Sequence, residues 1–127
     1  MAAWTRDELG RIDESDEMEI APTLGDGSLR KPVPVWVVRD GDELYVRAVN
    51  GPGAAWFRAA TRRHEGHVEA GGVAKDVIFE NVDGDTERIQ DTLDAAYQAK
   101  YARYPSDIVG SVISGEARSA TLKLVPR

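Results

Sequence analysis

Val33-Pro34-Val35-Trp36-Val37-Val38-Arg39-Asp40-Gly41-Asp42-Glu43-Leu44-Tyr45-Val46-Arg47-Ala48-Val49-Asn50-Gly51-Pro52-Gly53 is the stretch that decides the architecture. Residues 33–38 are β-branched or aromatic apart from Pro34, the composition of a strand. Pro34 has no N–H to give to a ladder, so that end lies at a sheet edge or a bulge. Asp40-Gly41 closes a turn. In the next strand Leu44, Val46 and Ala48 face one way and Tyr45, Arg47 and Val49 the other, the alternation of a half-buried antiparallel strand. Asn50-Gly51-Pro52-Gly53 then separates this strand from a short helix over residues 53–63 that carries Trp56 and Phe57 at its start. Backbone amides in front of a helix can receive an anion such as a phosphate. A plain connection, with Gly supplying positive φ and Pro fixing a turn, uses the same residues.

Working outward, residues 66–70 form a brief strand, Gly71-Gly72 a hairpin turn, and residues 73–82 a longer strand. Asp83-Gly84-Asp85 reads as a turn and N-cap. It opens a helix over residues 85–104, whose Ile89, Leu93, Tyr97, Tyr101 and Tyr104 recur at helical spacing. Pro105 ends it, a short helical stretch covers residues 107–113, and residues 121–125 read as a closing strand. On the other side, Thr5 and Glu8 make a capping-box pattern with Trp4 and Leu9 at the staple positions. They open a helix over residues 5–14, expected as a lid on the sheet. A strand over residues 17–22 and a Gly25-Asp26-Gly27 turn complete the chain. About six strands joined by hairpins, not helical crossovers, predict an α+β fold that is mainly β. It is a small antiparallel barrel with helices at the rim, one domain over residues 1–127.

The 127 residues carry a net charge of −6, which argues against general nucleic-acid binding. Residues 30–63 run against that balance, with seven basic and three acidic side chains for a local +4, so the expected partner is one small anionic ligand. No apolar run approaches the roughly 20 residues that cross a bilayer, and no apolar h-region marks a secretory signal. With no cysteine in the chain, the expectation is a cytoplasmic protein, monomer or homodimer, without membrane contact.

Arg58 and Arg62 are spaced i,i+4, so they share a helix face and form a candidate phosphate clamp. Arg47 lies mid-strand among apolar neighbours and needs a counter-charge if it points into the barrel mouth. Trp36 and Trp56 are candidates to stack on a planar ring, with core packing the competing role. His64-Glu65-Gly66-His67 does not have the spacing of a zinc-protease motif and reads as a surface turn, so no metal is expected. There is no Ser/His/Asp or Cys/His nucleophile set and no Walker or Rossmann glycine pattern.

The order running from Trp36 through Asp40-Gly41 to Arg47, then Asn50-Gly51, Ala55-Trp56-Phe57-Arg58 and Val68-Glu69-Ala70-Gly71-Gly72, resembles the split β-barrel proteins that bind flavin or deazaflavin, the deazaflavin-dependent nitroreductase-like group in particular. Over nearly its whole length the chain looks like a family of small uncharacterised bacterial proteins related to that superfamily. The resemblance implies a phosphate held by Arg30 and Lys31 ahead of the first barrel strand and by Arg47 and Asn50 at the end of the next. Gly51 and Gly53 would let backbone approach the anion, Trp56 would lie beside the ring, and Arg58 or Arg62 would neutralise phosphate. FMN or deazaflavin is the implied cofactor and hydride transfer to a small organic substrate the implied reaction. Where the deazaflavin enzymes carry a Gly-Arg-Lys-Ser-Gly run, this chain reads Gly27-Ser28-Leu29-Arg30-Lys31-Pro32. The alternative is therefore a cofactor-free barrel that binds a small anionic or aromatic ligand, or catalyses a non-redox step such as an isomerisation.

Overall fold

Thr5 caps the first helix as its sequence requires. Its hydroxyl accepts the Glu8 N–H while the Glu8 carboxylate accepts the Thr5 N–H. The computed structural model describes residues 3–82 and 87–127. Along the chain these are α1 (Arg6–Glu14), β1 (Met18–Pro22), β2 (Val33–Val35), β3 (Val37–Asp40), β4 (Glu43–Arg47), α2 (Ala55–Arg63), β5 (Glu65–Ala70), β6 (Val73–Asn81), α3 (Glu87–Lys100), α4 (Ser106–Val112), α5 (Gly115–Arg118) and β7 (Thr121–Pro126). The expected turn and cap at Asp83-Gly84-Asp85 lies outside the described residues.

The strands form one antiparallel sheet in the order β2-β1-β5-β6-β7-β4-β3. Its two edge strands, β2 and β3, follow each other in the chain with Trp36 alone between them. The sheet therefore curls until its ends meet, giving a nearly closed barrel with a seam at Trp36. The single strand expected over residues 33–38 is corrected to two short strands that pair at opposite ends of the sheet. Val33–Val35 pairs with β1 and Val37–Asp40 with β4. Pro34 sits in the edge strand, where its missing N–H costs no ladder bond. The Gly71-Gly72 hairpin forms with φ of +57° and +82°, values that only glycine adopts without strain.

The barrel interior is filled by Met18, Ile20, Val37, Leu44, Val46, Val68, Val77, Phe79, Leu122 and Leu124, with Leu9 and Ile12 of α1 packed into the same cluster. A second cluster (Val38, Tyr45, Leu93, Tyr97, Tyr101, Val109 and Val112) joins the outer face of β3 and β4 to α3 and α4. This corrects the half-buried reading of β4. Leu44 and Val46 point into the barrel, while Tyr45 and Arg47 are buried on the other face.

The seam leaves backbone groups without ladder partners, and α3 and the turn that follows it supply them. The Tyr97 hydroxyl donates to the Trp36 carbonyl at 3.1 Å. The Tyr101 hydroxyl accepts the Val37 N–H at 3.2 Å and donates to the Asp16 carbonyl at 2.8 Å, and the Lys100 ammonium donates to the Val37 carbonyl at 2.7 Å. A buried edge with no such partners would cost roughly 1–3 kcal/mol per group. Tyr104 lies past the end of α3 in a turn, yet it still touches Trp36, with ring centres 5.0 Å apart.

Candidate functional site in the barrel seam

Beside the seam is a cleft of about 260 Å³. Pro34, Val35 and Trp36 form one wall. Arg47 and Val49 at the end of β4, Trp56 of α2, and Ile108, Ser111 and Val112 of α4 form the other, with Glu17 at its margin. Trp36 is held in place by its own packing. Its ring stacks on Tyr101 with centres 3.9 Å apart and planes within 2°. Trp56 packs edge-on against Phe57 at 5.9 Å. Val49 and Ile108 are 44% and 45% exposed, so two apolar side chains at this cleft are left uncovered by the protein itself. A mostly apolar concavity with a few polar groups is the usual form of a small-molecule site.

A larger cavity of about 410 Å³ lies between Trp4, Asp42, Glu43, Glu80 and Lys123. Its lysine is already bonded to Glu43 at 2.8 Å, and its remaining side-chain charge is acidic. It lacks the paired tryptophans of the seam cleft.

Arg47 is the most constrained group at the cleft. Its side chain has no solvent exposure. Nε donates to the Thr121 hydroxyl at 3.3 Å, one terminal nitrogen to Asp94 Oδ1 at 2.6 Å and the Val112 carbonyl at 3.0 Å, and the other to the Gln90 carbonyl at 3.2 Å and Gln90 Oε1 at 2.5 Å. A guanidinium has five N–H groups, and all five are spent. Arg47 does not point into the barrel but is buried on the outer face of β4, where Asp94 is its counter-charge and the arginine ties β4 to α3, α4 and β7. The expected contact between Arg47 and a phosphate has no donor left to make it.

The loop after β4 is similarly occupied. The Gly51 N–H bonds the Ala48 carbonyl at 2.9 Å, and Pro52 has no N–H. Gly51 has φ of +82°, and a Cβ there would come within 3.3 Å of Glu116 Cβ, so the close approach that this glycine permits is used by an acidic residue of α5. Asn50 and Gly53 are exposed, and neither lines the cleft. Arg58 and Arg62 share one face of α2, as their spacing requires, and both are exposed. At about 100° per residue they lie roughly 200° and 240° round the helix from Trp56, turned away from the cleft. Arg30 and Lys31 lie between β1 and β2, outside the lining.

Of the candidate residues, the structure thus brings Arg47 and Trp56 to the cleft together with Trp36, and leaves Arg30, Lys31, Asn50, Gly51, Gly53, Arg58 and Arg62 outside its walls. Glu17, Val49, Ile108 and Ser111 line it without having been singled out in the sequence. His67 Nδ1 lies 2.9 Å from Asp76 across the β5–β6 pair, and His64 Nδ1 3.1 Å from the Phe79 carbonyl, both away from the cleft.

Among the described residues no helix is long and apolar enough to cross a membrane. No curated protein matches the sequence. Solved structures do match the fold. The heme storage protein HutZ from Vibrio cholerae is 12% identical with a TM-score of 0.68, the match covering 96% of this chain and 89% of that one. A putative pyridoxamine 5′-phosphate oxidase from Listeria innocua is 14% identical at a TM-score of 0.63, covering 94% and 90%. The FAD and heme binding protein from Mycobacterium smegmatis is 18% identical at a TM-score of 0.53, covering 97% and 65%. At these identities the likeness establishes the split-barrel fold. Residues 8–124 match the family described as uncharacterized protein conserved in bacteria (DUF2255), and the chain belongs to that family.

Proposed function

We propose that this protein binds a flat aromatic ring system of the flavin or deazaflavin class in the seam cleft and acts as an oxidoreductase on a small organic molecule when so loaded. The observation that carries the reading is the cleft itself. Trp36 and Trp56 flank it, and Val49 and Ile108 stay exposed at it. Two fold neighbours, an FAD and heme binding protein and a putative pyridoxamine 5′-phosphate oxidase, support the same class of ligand. The cleft volume of about 260 Å³ lies just under the range of roughly 300–1,000 Å³ usual for ligand sites. It suits a ring system whose side chain stays outside.

The ring portion of such a group fits these walls, because they offer apolar and indole surface. Trp36, Trp56, Val35 and Val112 would hold it and keep water from one side. A bound flavin or deazaflavin supplies the capacity for hydride transfer. No side chain at the cleft has to act as a nucleophile. The test is absorbance and mass spectrometry on freshly purified protein, followed by riboflavin and deazaflavin titrations read by tryptophan fluorescence. Ring absorbance that stays with the protein through gel filtration, or saturable quenching at micromolar ligand, supports the reading. Colourless protein whose fluorescence neither ligand changes rejects it.

A second reading is favoured by the saturation of Arg47. A barrel whose buried arginine serves the fold alone has no cation at the cleft with which to anchor a cofactor phosphate. Such a barrel would hold a small aromatic ligand with no redox role. Turnover of a reduced deazaflavin or flavin by the purified protein separates the two.

A further inference from the structure

We infer that the seam cleft recognises an unphosphorylated ring, neutral or cationic at its edge, and discriminates against phosphorylated ligands. The inference rests on the ring-binding reading above and concerns which members of that ligand class the site accepts. Three acidic residues bear on the charge at and around the cleft, Glu17 in its lining and Asp94 and Glu116 outside it. Asp94 pairs with Arg47, the one cation among the described residues lining the cleft, at 2.6 Å. Glu17 lines the cleft margin and forms no side-chain ion pair among the described residues. Glu116 packs against Gly51 in the loop that would otherwise cradle a phosphate.

Arg47 is paired with Asp94 outside the lining and has no donor left, so Glu17 carries the charge in the lining that has no ion-pair partner among the described residues. The remaining hydrogen-bonding groups agree. The Ser111 hydroxyl gives its proton to the Ile108 carbonyl at 2.6 Å, so its oxygen is left as an acceptor, and the Glu17 carboxylate accepts only. A ring edge that presents N–H donors complements this lining, whereas a phosphate carrying close to two negative charges opposes it. Arg58 and Arg62, exposed on α2, face away from Trp56 and do not offset the charge of Glu17 at the cleft.

The test is a tryptophan-quenching titration with lumichrome, riboflavin and FMN at low salt, repeated with Glu17→Gln and Glu17→Lys and again at 1 M NaCl. Glu17 is exposed, so both variants should retain the wild-type fold, checked by circular dichroism. The expected result is that riboflavin and lumichrome bind about five-fold tighter than FMN at low salt, as Coulomb repulsion over several ångströms of mostly aqueous medium requires. Glu17→Gln narrows that ratio, Glu17→Lys reverses it, and high salt brings it toward one. If FMN binds tighter than riboflavin in the wild-type protein, the inference falls and the ring-binding reading stands. The same holds if the ratio does not respond to position 17. If none of the three ligands quenches, both fall together.

Discussion

The Arg47 guanidinium meets the Asp94 carboxylate at 2.6 Å in a place where the arginine side chain has no exposure and the aspartate only 23%. Around this pair Thr121, Gln90 and Val112 take up the remaining guanidinium hydrogens, and the Tyr97 ring lies 5.3 Å from the cation. One side chain thus clamps the barrel wall to the helical layer. Desolvating it is costly, and only the complete set of partners makes the arrangement favourable.

Arg47→Ala should lower unfolding free energy by about 3 kcal/mol, because it strands the acceptors of a buried ion pair. Arg47→Lys should recover little, since a lysine has three donors where five acceptors wait. Urea denaturation followed by circular dichroism measures both. Full stability in Arg47→Ala would mean that the clamp is not structural and would reopen a ligand role for this residue.

Tyr101→Phe should cost about 1–3 kcal/mol, because the Val37 N–H and the Asp16 carbonyl both lose the hydroxyl that satisfies them. The loss is local to the seam. Amide exchange at Val37 should therefore accelerate more than at Val68, which lies within the β5–β6 pairing. Equal acceleration at both positions would contradict the assignment of Tyr101 to the seam.

Burial pushes the Lys100 ammonium down to about 8, against the pull of Asp13 and Asp16, which raise it. An unfolded lysine titrates near 10.4. Between these values this lysine binds more protons in the unfolded chain than in the native one, so stability should rise as pH increases from about 8 to about 9. Tyr45, Tyr97 and Tyr101, whose hydroxyls burial pushes up, oppose this rise as unfolded tyrosines begin to ionise toward about pH 10, so the rise is confined to the lower part of the range. Lys100→Met should flatten the rise. Chemical denaturation at pH 7.5, 8.5 and 9.5 reads the slope, and a wild-type stability that falls over this range would overturn the sign.

The sequence shows local structure well and long-range closure poorly. The Thr5–Glu8 capping box, the Asp40-Gly41 turn and the Gly71-Gly72 hairpin depend on residues a few positions apart, and the structure has each of them, while the tyrosine stripe runs past the end of α3 at Lys100 into the following turn. The break at Trp36 was not legible, since residues 33–38 have uniform strand character and only the closing of the sheet assigns them to two edges. The partners of Arg47 stand 43 to 74 residues away. One signal was available: Gln90 and Asp94 lie two turns and one turn before Tyr97 on the same face of α3, and polar groups within a buried stripe call for a buried partner. Glu17, Ile108 and Ser111 carried no such mark, because ordinary surface residues become a site only when α4 is laid against the seam. Four-residue α5 is too short to register as a periodic pattern.

Arg58→Ala combined with Arg62→Ala should leave riboflavin affinity within about two-fold, because both side chains face away from Trp56. Isothermal titration calorimetry on the double variant checks this, and a ten-fold loss would return the two arginines to the site.

Ile108→Asp should weaken riboflavin binding at least ten-fold without lowering the melting temperature, since Ile108 is 45% exposed and contributes little to the core. A large drop in melting temperature would show that the residue packs rather than waits for a ligand.

Amide and indole chemical shifts followed during a lumichrome titration test the ring-binding cleft most directly. The account predicts saturable shifts at Trp36, Val49, Trp56, Ile108 and Ser111, with the β5–β6 hairpin unmoved. Shifts centred instead on Trp4, Glu80 and Lys123, or none at millimolar ligand, would contradict it.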